Sequence, residues 1–337
     1  MKRVKNVKQI GVRQSLLLAG LILASVAGSA QAVTFYAYAS TSGNPGLGGY
    51  HIYSDSGPTP VEISSDHSGL RNRQHVNDLG ASSAMVDAQA FARADMNGLH
   101  LETVVTGSLR DPEPYYSETF AGSANARAAL GDSFVIGFPG SAAVFATTSM
   151  TLHFNMSGPL SAYAYATPDP LYPLNAGGSE GRSRWHADFV ARDTTTGNEL
   201  GRITLDQSCS MSTTYNFSCF GDLPGNYVMN ISVPFGHTLS ISLNGETWSS
   251  VLGAASRGGD ILAGGQADLR HTIAWGGITN VRDENGQAIS GFTAISATSG
   301  YDYVNAFPAA VPEPETYATM LAGLGLVGFA ARRRAAL

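Results

Sequence analysis

The sequence contains the residue types from which a serine hydrolase site could be built. Gly131, Asp132 and Ser133 are consecutive, and Asp268 and His271 form an Asp-x-x-His pair far downstream. In acyl transfer a serine is the nucleophile, a histidine accepts its proton, and an aspartate orients the histidine. Such a site is active only where the fold brings the three side chains within hydrogen-bond distance of one another. The secondary-structure elements that contain these residues therefore decide whether acyl transfer is possible.

The same blocks resemble the Gly-Asp-Ser and Asp-x-x-His blocks of the GDSL hydrolases. In that family the first block lies near the start of an α/β fold, whereas here it lies well inside a β-patterned chain. The oxyanion-hole block Gly-x-Asn-Asp of the family is absent, and motifs this short recur by chance. We therefore predict that the protein is not an enzyme, and a secreted hydrolase is only the third of three candidate functions.

Metal and cofactor chemistry has no better support in the sequence. None of the eight histidines has a metal-ligand spacing such as His-Glu-x-x-His. On a strand reading, His153 and His186 fall on a polar face, where a solvated histidine is the ordinary outcome. The carboxylates are scattered, and nothing singles out an acid–base pair for glycoside hydrolysis. We predict no bound metal and no cofactor.

The N-terminal residues have the three parts of a secretion signal. A basic stretch ends at Arg13, an apolar run extends from Leu16 to Val26, and small residues stand at Ala30 and Ala32. A signal peptidase reads small residues at these two positions, and the apolar run is shorter than the roughly 20 residues that a membrane span needs. The sequence predicts a signal peptide over 1–32 and a mature chain that starts at Val33.

The C-terminal residues place three unlike features in a fixed order. Val311, Pro312, Glu313 and Pro314 are followed by an apolar run from residue 317 to 331 and then by three arginines, Arg332, Arg333 and Arg334. The two prolines keep their segment extended. The 15-residue run makes a short transmembrane helix of about 22 Å. The arginines remain cytoplasmic by the positive-inside rule.

This order resembles the PEP-CTERM sorting signal, the substrate of membrane enzymes called exosortases. The resemblance covers 311–337 and implies that the processing enzyme reads Pro312, Glu313 and Pro314. It implies a Gram-negative cell that makes a biofilm or exopolysaccharide. The expected partners are a signal peptidase, an exosortase-type enzyme and exopolysaccharide. The expected localisation is a transient inner-membrane anchor, followed by the cell surface or the extracellular space.

Between these ends, residues 33–310 read as a β-rich passenger. Apolar residues alternate with polar ones, as in Met150 to Met156 and Tyr227 to Val233, and turn sequences such as Asn244-Gly245 separate the runs. The pattern predicts an all-β antiparallel sandwich or jelly roll. Residues 81–96 fit both a helix and a strand, and we favour the strand. A soft break near 168–180 leaves one domain or two open.

Cysteine and charge content constrain the passenger further. Cys209 and Cys219 are the only cysteines, and in an oxidising compartment an even number at short spacing predicts a disulfide. The passenger has 12 arginines against 24 acidic residues, a net charge of −12. Because that charge repels phosphate backbones, we do not expect nucleic acid as a partner.

Two functions remain ahead of the hydrolase. The first is a structural protein of the surface or extracellular matrix that is associated with exopolysaccharide. The second is a carbohydrate-binding module, because sandwiches commonly bind sugars through exposed aromatic residues. The candidates for that role are Tyr115, Tyr116, Tyr163 and Tyr165, all of which could equally be half-buried strand residues.

Overall fold

The computed structural model describes residues 33–44, 50–74, 81–111, 117–137, 147–167, 177–214, 216–234, 236–256 and 259–308. These residues form fourteen strands and no helix. In chain order the strands are β1 Thr34–Asn44, β2 Tyr50–Gly57, β3 Val61–Gln74, β4 Ala81–Asp95, β5 Gly98–Asp111, β6 Ser117–Val135, β7 Thr148–Met156, β8 Leu160–Thr167, β9 Gly178–Asp193, β10 Glu199–Ser212, β11 Ser218–Gly221, β12 Gly225–Val233, β13 Thr238–Ser256 and β14 Gly259–Arg282.

The strands form two antiparallel sheets. Sheet A has the order β11-β10-β9-β13-β6-β1-β2, and sheet B has the order β12-β7-β14-β5-β4-β3, with β8 also paired to β14. Strands β13 and β9 of sheet A pack on β5 and β14 of sheet B, and β1 packs on β4 and β3. The all-β, antiparallel prediction is confirmed, and this face-to-face packing fits the predicted sandwich.

The ambiguous segment at 81–96 is a strand, β4, as favoured from the sequence. Its buried apolar residues share one face: Ala84, Val86, Ala88, Ala90, Ala92 and Ala94. That face packs against β1 and β6 of the opposite sheet. Alanine has high helix propensity, but here the small side chain lets the two sheets approach closely, and this packing outweighs the local preference.

Aromatic rings tie the sheets together in the core. Phe154 of β7 stacks on Phe189 of β9 with ring centroids 4.6 Å apart, and Trp275 of β14 meets Phe154 edge to face at 5.4 Å. Both tryptophans of this core, Trp185 and Trp275, are fully buried. Aromatic pairs in such geometries add to the free energy that burial of their area already supplies.

Strands β7 and β8 run one after the other along the same side of β14. Residues 157–159 separate them, and Gly158 there has a φ of +148°. A Cβ at Gly158 would lie 2.0 Å from the carbonyl oxygen of Asp268, so only glycine fits. The break displaces β8 from the line of β7 and makes it a separate strand paired to the first part of β14.

In both sheets, a strand that precedes the predicted soft break at 168–180 pairs with a strand that follows it. Strand β8, which precedes it, pairs with β14, and β6 pairs with β13. Residues 168–176 lie outside the described residues. The boundaries predicted at 32/33 and 310/311 also lie at or beyond the described part of the chain and stay predictions.

Candidate functional site

Two tyrosines on β8 form an exposed aromatic surface on the outer face of sheet B. Tyr163 and Tyr165 are 40% and 62% exposed, whereas the alternating residues Ala162 and Ala164 are buried. Alternation places both rings on one face, about 7 Å apart along the strand. We call Tyr163 and Tyr165 the tyrosine platform. The other two candidates, Tyr115 and Tyr116, lie outside the residues whose side chains are described.

Gly264 of β14 allows Tyr163 to lie close against the sheet. The two residues are direct cross-strand partners. A Cβ at Gly264 would lie 2.2 Å from both Cε1 and Cζ of Tyr163, so the ring extends over the glycine in place of a side chain. An aromatic ring that covers a glycine in a neighbouring strand is a known way of stabilising a sheet. Burial on this side raises the pKa of the Tyr163 phenol.

The platform rests directly on the backbone of sheet A. A Cβ at Gly181 of β9 would lie 2.1 Å from the carbonyl oxygen of Gly264 and 2.6 Å from that of Tyr163. A Cβ at Gly265 would lie 2.1 Å from the carbonyl oxygen of Arg182. Here the sheets therefore meet backbone to backbone, and no layer of side chains beneath the platform can rearrange.

A shallow depression with polar walls lies beside Tyr165. Its lining includes Leu262, Ser108, Arg110 and Asp260. The strand register explains the arrangement, because Leu262 pairs with both Tyr165 and Ser108, while Asp260 pairs with Arg110. Hydroxyl, guanidinium and carboxylate groups thus lie next to an aromatic ring, within the width of three strands.

Arg110 differs from the other arginines whose side chains the structure describes, because it makes no hydrogen bond or ion pair. Each of the others has a carboxylate or carbonyl partner: Arg93, Arg127, Arg182, Arg184, Arg192, Arg202 and Arg282. Arg110 is exposed and has Asp260 as its cross-strand neighbour. Its five donors are therefore open to a ligand or to water.

The outer face of sheet A has a different character. Arg184 forms a two-pronged ion pair with Asp206, with N–O distances of 2.8 and 2.6 Å. Arg127 donates to Glu246 at 2.8 Å, and its guanidinium carbon lies 5.8 Å from the centroid of the Tyr38 ring. This face therefore satisfies most of its own charges.

Two residues of the hydrolase candidate, Ser133 and Asp268, lie in different sheets. Asp132 is buried and accepts hydrogen bonds from three hydroxyls, those of Ser296, Ser299 and Tyr303, at 2.9, 2.6 and 2.7 Å. Ser133 lies in sheet A. Asp268 lies in sheet B and pairs with Glu102, and the side chain of His271 is outside the described residues. Asp132 therefore fixes residues 296–303 against β6 through these hydrogen bonds, and no local sequence motif predicts this role.

Tyr303 belongs to the aromatic core as well as to this cluster. Its ring stacks on Phe134 at 4.8 Å, and its backbone carbonyl accepts a hydrogen bond from the Trp275 indole at 2.9 Å. Burial and the neighbouring charge of Asp132 raise the pKa of the Tyr303 phenol far above its ordinary value. The phenol is therefore a permanent donor to Asp132. Buried Phe307 follows and closes the described chain against the same core.

The predicted disulfide is confirmed. Cys209 of β10 and Cys219 of β11 are direct cross-strand partners and are bonded to each other. The bond fixes the short edge strand β11, whose other contacts with the sheet are few because it has only four residues. Closing so small a loop contributes about 3 kcal/mol in the chain-entropy account.

Three of the described histidines make ordinary polar contacts, and the fourth, buried His100, has its Nε2 3.8 Å from Asp95. His153 contacts the hydroxyl of Thr279 at 2.7 Å, and His186 lies 3.4 Å from Asp188. His237 lies 2.7 Å from the buried carboxylate of Asp193. Within the described part of the chain, no three histidine, cysteine or acidic side chains are grouped as a metal site would require.

Three predicted sets of residues at the chain ends lie outside the described residues. They are the sorting residues Val311, Pro312, Glu313 and Pro314, the basic cluster Arg332, Arg333 and Arg334, and the cleavage residues Ala30 and Ala32. The same is true of the predicted signal peptide and transmembrane helix. Among the described residues, no helix has the length and apolar character needed to cross a membrane.

Comparison with known families settles the nature of the C-terminal segment. A family model matches residues 310–334, and this match supports an exported protein that is sorted through its tail. The match is to the PEP-CTERM protein-sorting motif, which is consistent with an exosortase substrate. The motif implies export, passage through a transient membrane stage, processing by an exosortase and delivery to the cell surface. Comparisons of the chain with curated proteins and with solved structures gave no match.

Proposed function

We propose that this exosortase-targeted protein is a non-catalytic component of the cell surface or extracellular matrix, where it associates with exopolysaccharide. The observation that carries the proposal is the sorting motif at residues 310–334, directly after an all-β body whose last described residues are packed into its core. A folded body delivered to the surface, with no assembled catalytic group among its described residues, suits a structural or adhesive role.

The body has the physical properties that such a location demands. Its disulfide suits an oxidising compartment. Its net charge of −12 keeps it from binding anionic lipid surfaces and phosphate polymers. The arginines described on sheet A are held in ion pairs, so these cations are not free for unspecific contacts.

Fractionation of the producing cells tests this proposal. We expect the protein in the extracellular polysaccharide fraction, from which enzymatic digestion of the polysaccharide releases it. A strain that makes no exopolysaccharide is the control, and there the protein should appear in the culture medium. Protein that stays with the cell envelope in equal amounts in both strains would contradict the association.

Processing of the tail has a separate test. The mature protein should lack the apolar run 317–331, because an exosortase reads the Pro312-Glu313-Pro314 segment that precedes it. Mass spectrometry of the extracellular fraction measures this directly. Recovery of peptides that contain intact Arg332, Arg333 and Arg334 from that fraction would contradict processing.

Carbohydrate recognition is the second candidate, and the tyrosine platform favours it. A binding module should show saturable binding to the native exopolysaccharide, whereas a passive matrix component should show none. Exposure of Tyr163 and Tyr165 on one face, next to open polar groups, is the specific observation behind this alternative.

A further inference from the structure

We propose that the tyrosine platform, together with Arg110 and Asp260, binds an uncharged polysaccharide. The inference rests on the proposed association with exopolysaccharide, and it adds the site and the chemical class of the chain that binds there. We call Tyr163, Tyr165, Arg110 and Asp260 the platform site.

The tyrosines supply the apolar half of the site. A pyranose ring has a face of C–H bonds that packs against an aromatic ring, and its hydroxyls project around the rim. Tyr163 extends over Gly264 and remains 40% exposed, while Tyr165 is 62% exposed. Because the rings are about 7 Å apart on one strand, successive sugar units of one chain can each meet a ring.

Arg110 and Asp260 supply the polar half. They are direct cross-strand partners, so a donor group and an acceptor group lie side by side. Neighbouring sugar hydroxyls each donate and accept, and such a pair matches both functions. Ser108, in the next row of the register beside Leu262, adds a hydroxyl that can do either. Within the described part of the chain, neither Arg110 nor Asp260 is engaged by another side chain.

Charge selects an uncharged chain over an acidic one. Asp87 of β4, Glu102 of β5 and Asp268 of β14 lie on the same outer face as the platform site, and Arg110 is the one cation among the described residues that line the depression. The passenger as a whole has a net charge of −12. A polymer of uronic acids would be repelled by these groups, whereas a neutral glycan would not.

The backbone beneath the platform site is rigid. The backbone contacts at Gly181 and Gly265 fix the strands beneath the platform. A site whose backbone is already in place loses less conformational entropy on binding, and a weakly interacting polysaccharide gains affinity from that preorganisation.

Affinity electrophoresis tests the site with defined probes. The exported protein, purified from the producing cells, is run through gels that contain hydroxyethyl cellulose or dextran as uncharged chains, or alginate as an acidic chain. We expect retardation by at least one uncharged chain and none by alginate. The double variant Tyr163→Ala/Tyr165→Ala should lose at least tenfold in affinity, Arg110→Ala several-fold, and Tyr165→Phe little.

The matched control is the pair Tyr36 and Tyr38, which has the same spacing on β1 of sheet A. The variant Tyr36→Ala/Tyr38→Ala should be retarded like the unaltered protein, and thermal unfolding shows which variants are folded. Retardation by alginate alone, by no chain, or equally in both double variants would overturn the inference.

Fractionation of cells that produce each variant distinguishes failure of the platform site from failure of the proposed association with exopolysaccharide. If the Tyr163→Ala/Tyr165→Ala variant still fractionates with exopolysaccharide, the platform site is wrong and the association stands. If the unaltered protein does not fractionate there, the association itself is wrong.

Discussion

Strands β1 and β8 each present two tyrosines at positions i and i+2 on the outer face of a sheet, yet the two pairs lie in opposite surroundings. On β1, Tyr36 and Tyr38 are half-buried, and Arg127 from the neighbouring strand lies over the Tyr38 ring. On β8, Tyr163 lies over a glycine and Tyr165 has a polar depression beside it. The neighbouring strands, more than the tyrosines themselves, therefore decide whether an aromatic pair is available for binding.

Two arginines, Arg127 of sheet A and Arg110 of sheet B, differ in the same way as the two tyrosine pairs. Arg127 bonds to Glu246, which also accepts a hydrogen bond from Asn125 at 2.7 Å, so the centre of sheet A is a closed network. Arg110 lies near the end of β5, a central strand of sheet B, and makes no such bond. Because a satisfied charge has little left to offer a ligand, the contrast points to sheet B as the binding face.

The Asp132 cluster ties β6 of sheet A to the segment 296–303, and Trp275 of sheet B contacts the same segment by donating to the carbonyl of Tyr303. Asp132→Ala removes the acceptor of three hydroxyls, two of which belong to buried residues, and leaves them unsatisfied. We expect the free energy of unfolding to fall by about 4 kcal/mol. Chemical denaturation of the folded protein measures this change.

Ser299→Ala is the graded control, because it removes one donor to Asp132 and leaves the acceptor in place. Its expected cost is about 1 kcal/mol. Equal losses for the two variants would mean that Asp132 does not organise the segment 296–303.

The next largest loss of stability is expected at Gly181, which lies beneath the tyrosine platform. In Gly181→Ala the new Cβ would lie 2.1 Å from a backbone oxygen of the opposite sheet, and backbone cannot move aside as a flexible side chain can. We expect a loss of about 3 kcal/mol. Gly225→Ala, at a strand position with open space around it, should change stability by about 0.5 kcal/mol or less. A tolerated Gly181→Ala would show that the sheets are not held at this distance.

Much of the fold could be predicted from the sequence, because alternation is a local signal. The segments Met150 to Met156 and Tyr227 to Val233 are strands β7 and β12, and they pair with each other. The disulfide partners could be predicted because they are the only two cysteines. The sorting motif could be recognised because its residues are contiguous.

The candidate site could be predicted only in part. Tyr163 and Tyr165 could be named from their spacing, but nothing local distinguishes them from Tyr36 and Tyr38. The feature that does so is Gly264, about 100 positions away, together with the contact to Gly181 in the other sheet. Such features depend on strand register and on sheet packing, both of which are set by long-range pairing. The role of Asp132 was hidden for the same reason.

A matched pair of arginine substitutions sharpens the contrast between the faces. Arg127→Ala breaks the ion pair with Glu246 and removes the cation from the Tyr38 ring, for an expected loss of about 1.5 kcal/mol. Arg110→Ala breaks no hydrogen bond or ion pair of the described residues and should cost no more than about 0.5 kcal/mol. Thermal unfolding of both variants compares them directly. Equal losses would show that Arg110 has a structural partner and is not held open for a ligand.

The smallest expected effect concerns acid stability at one end of sheet A. Burial would raise the pKa of Asp193, but hydrogen bonds from His237 and Thr196 outweigh it and hold the pKa below its ordinary value of 3.8. A lowered folded-state pKa means that the stability contributed by Asp193 is complete above the ordinary value and is lost as the pH falls through the lower one.

We therefore expect the unfolding midpoint of the unaltered protein to fall on acidification below pH ~4, and Asp193→Asn to make that decline shallower. Asp55→Asn, on the exposed edge strand β2, removes the same charge without touching these bonds and serves as the control. Identical acid profiles for the unaltered protein and Asp193→Asn would show that this carboxylate is not the group that links folding to pH.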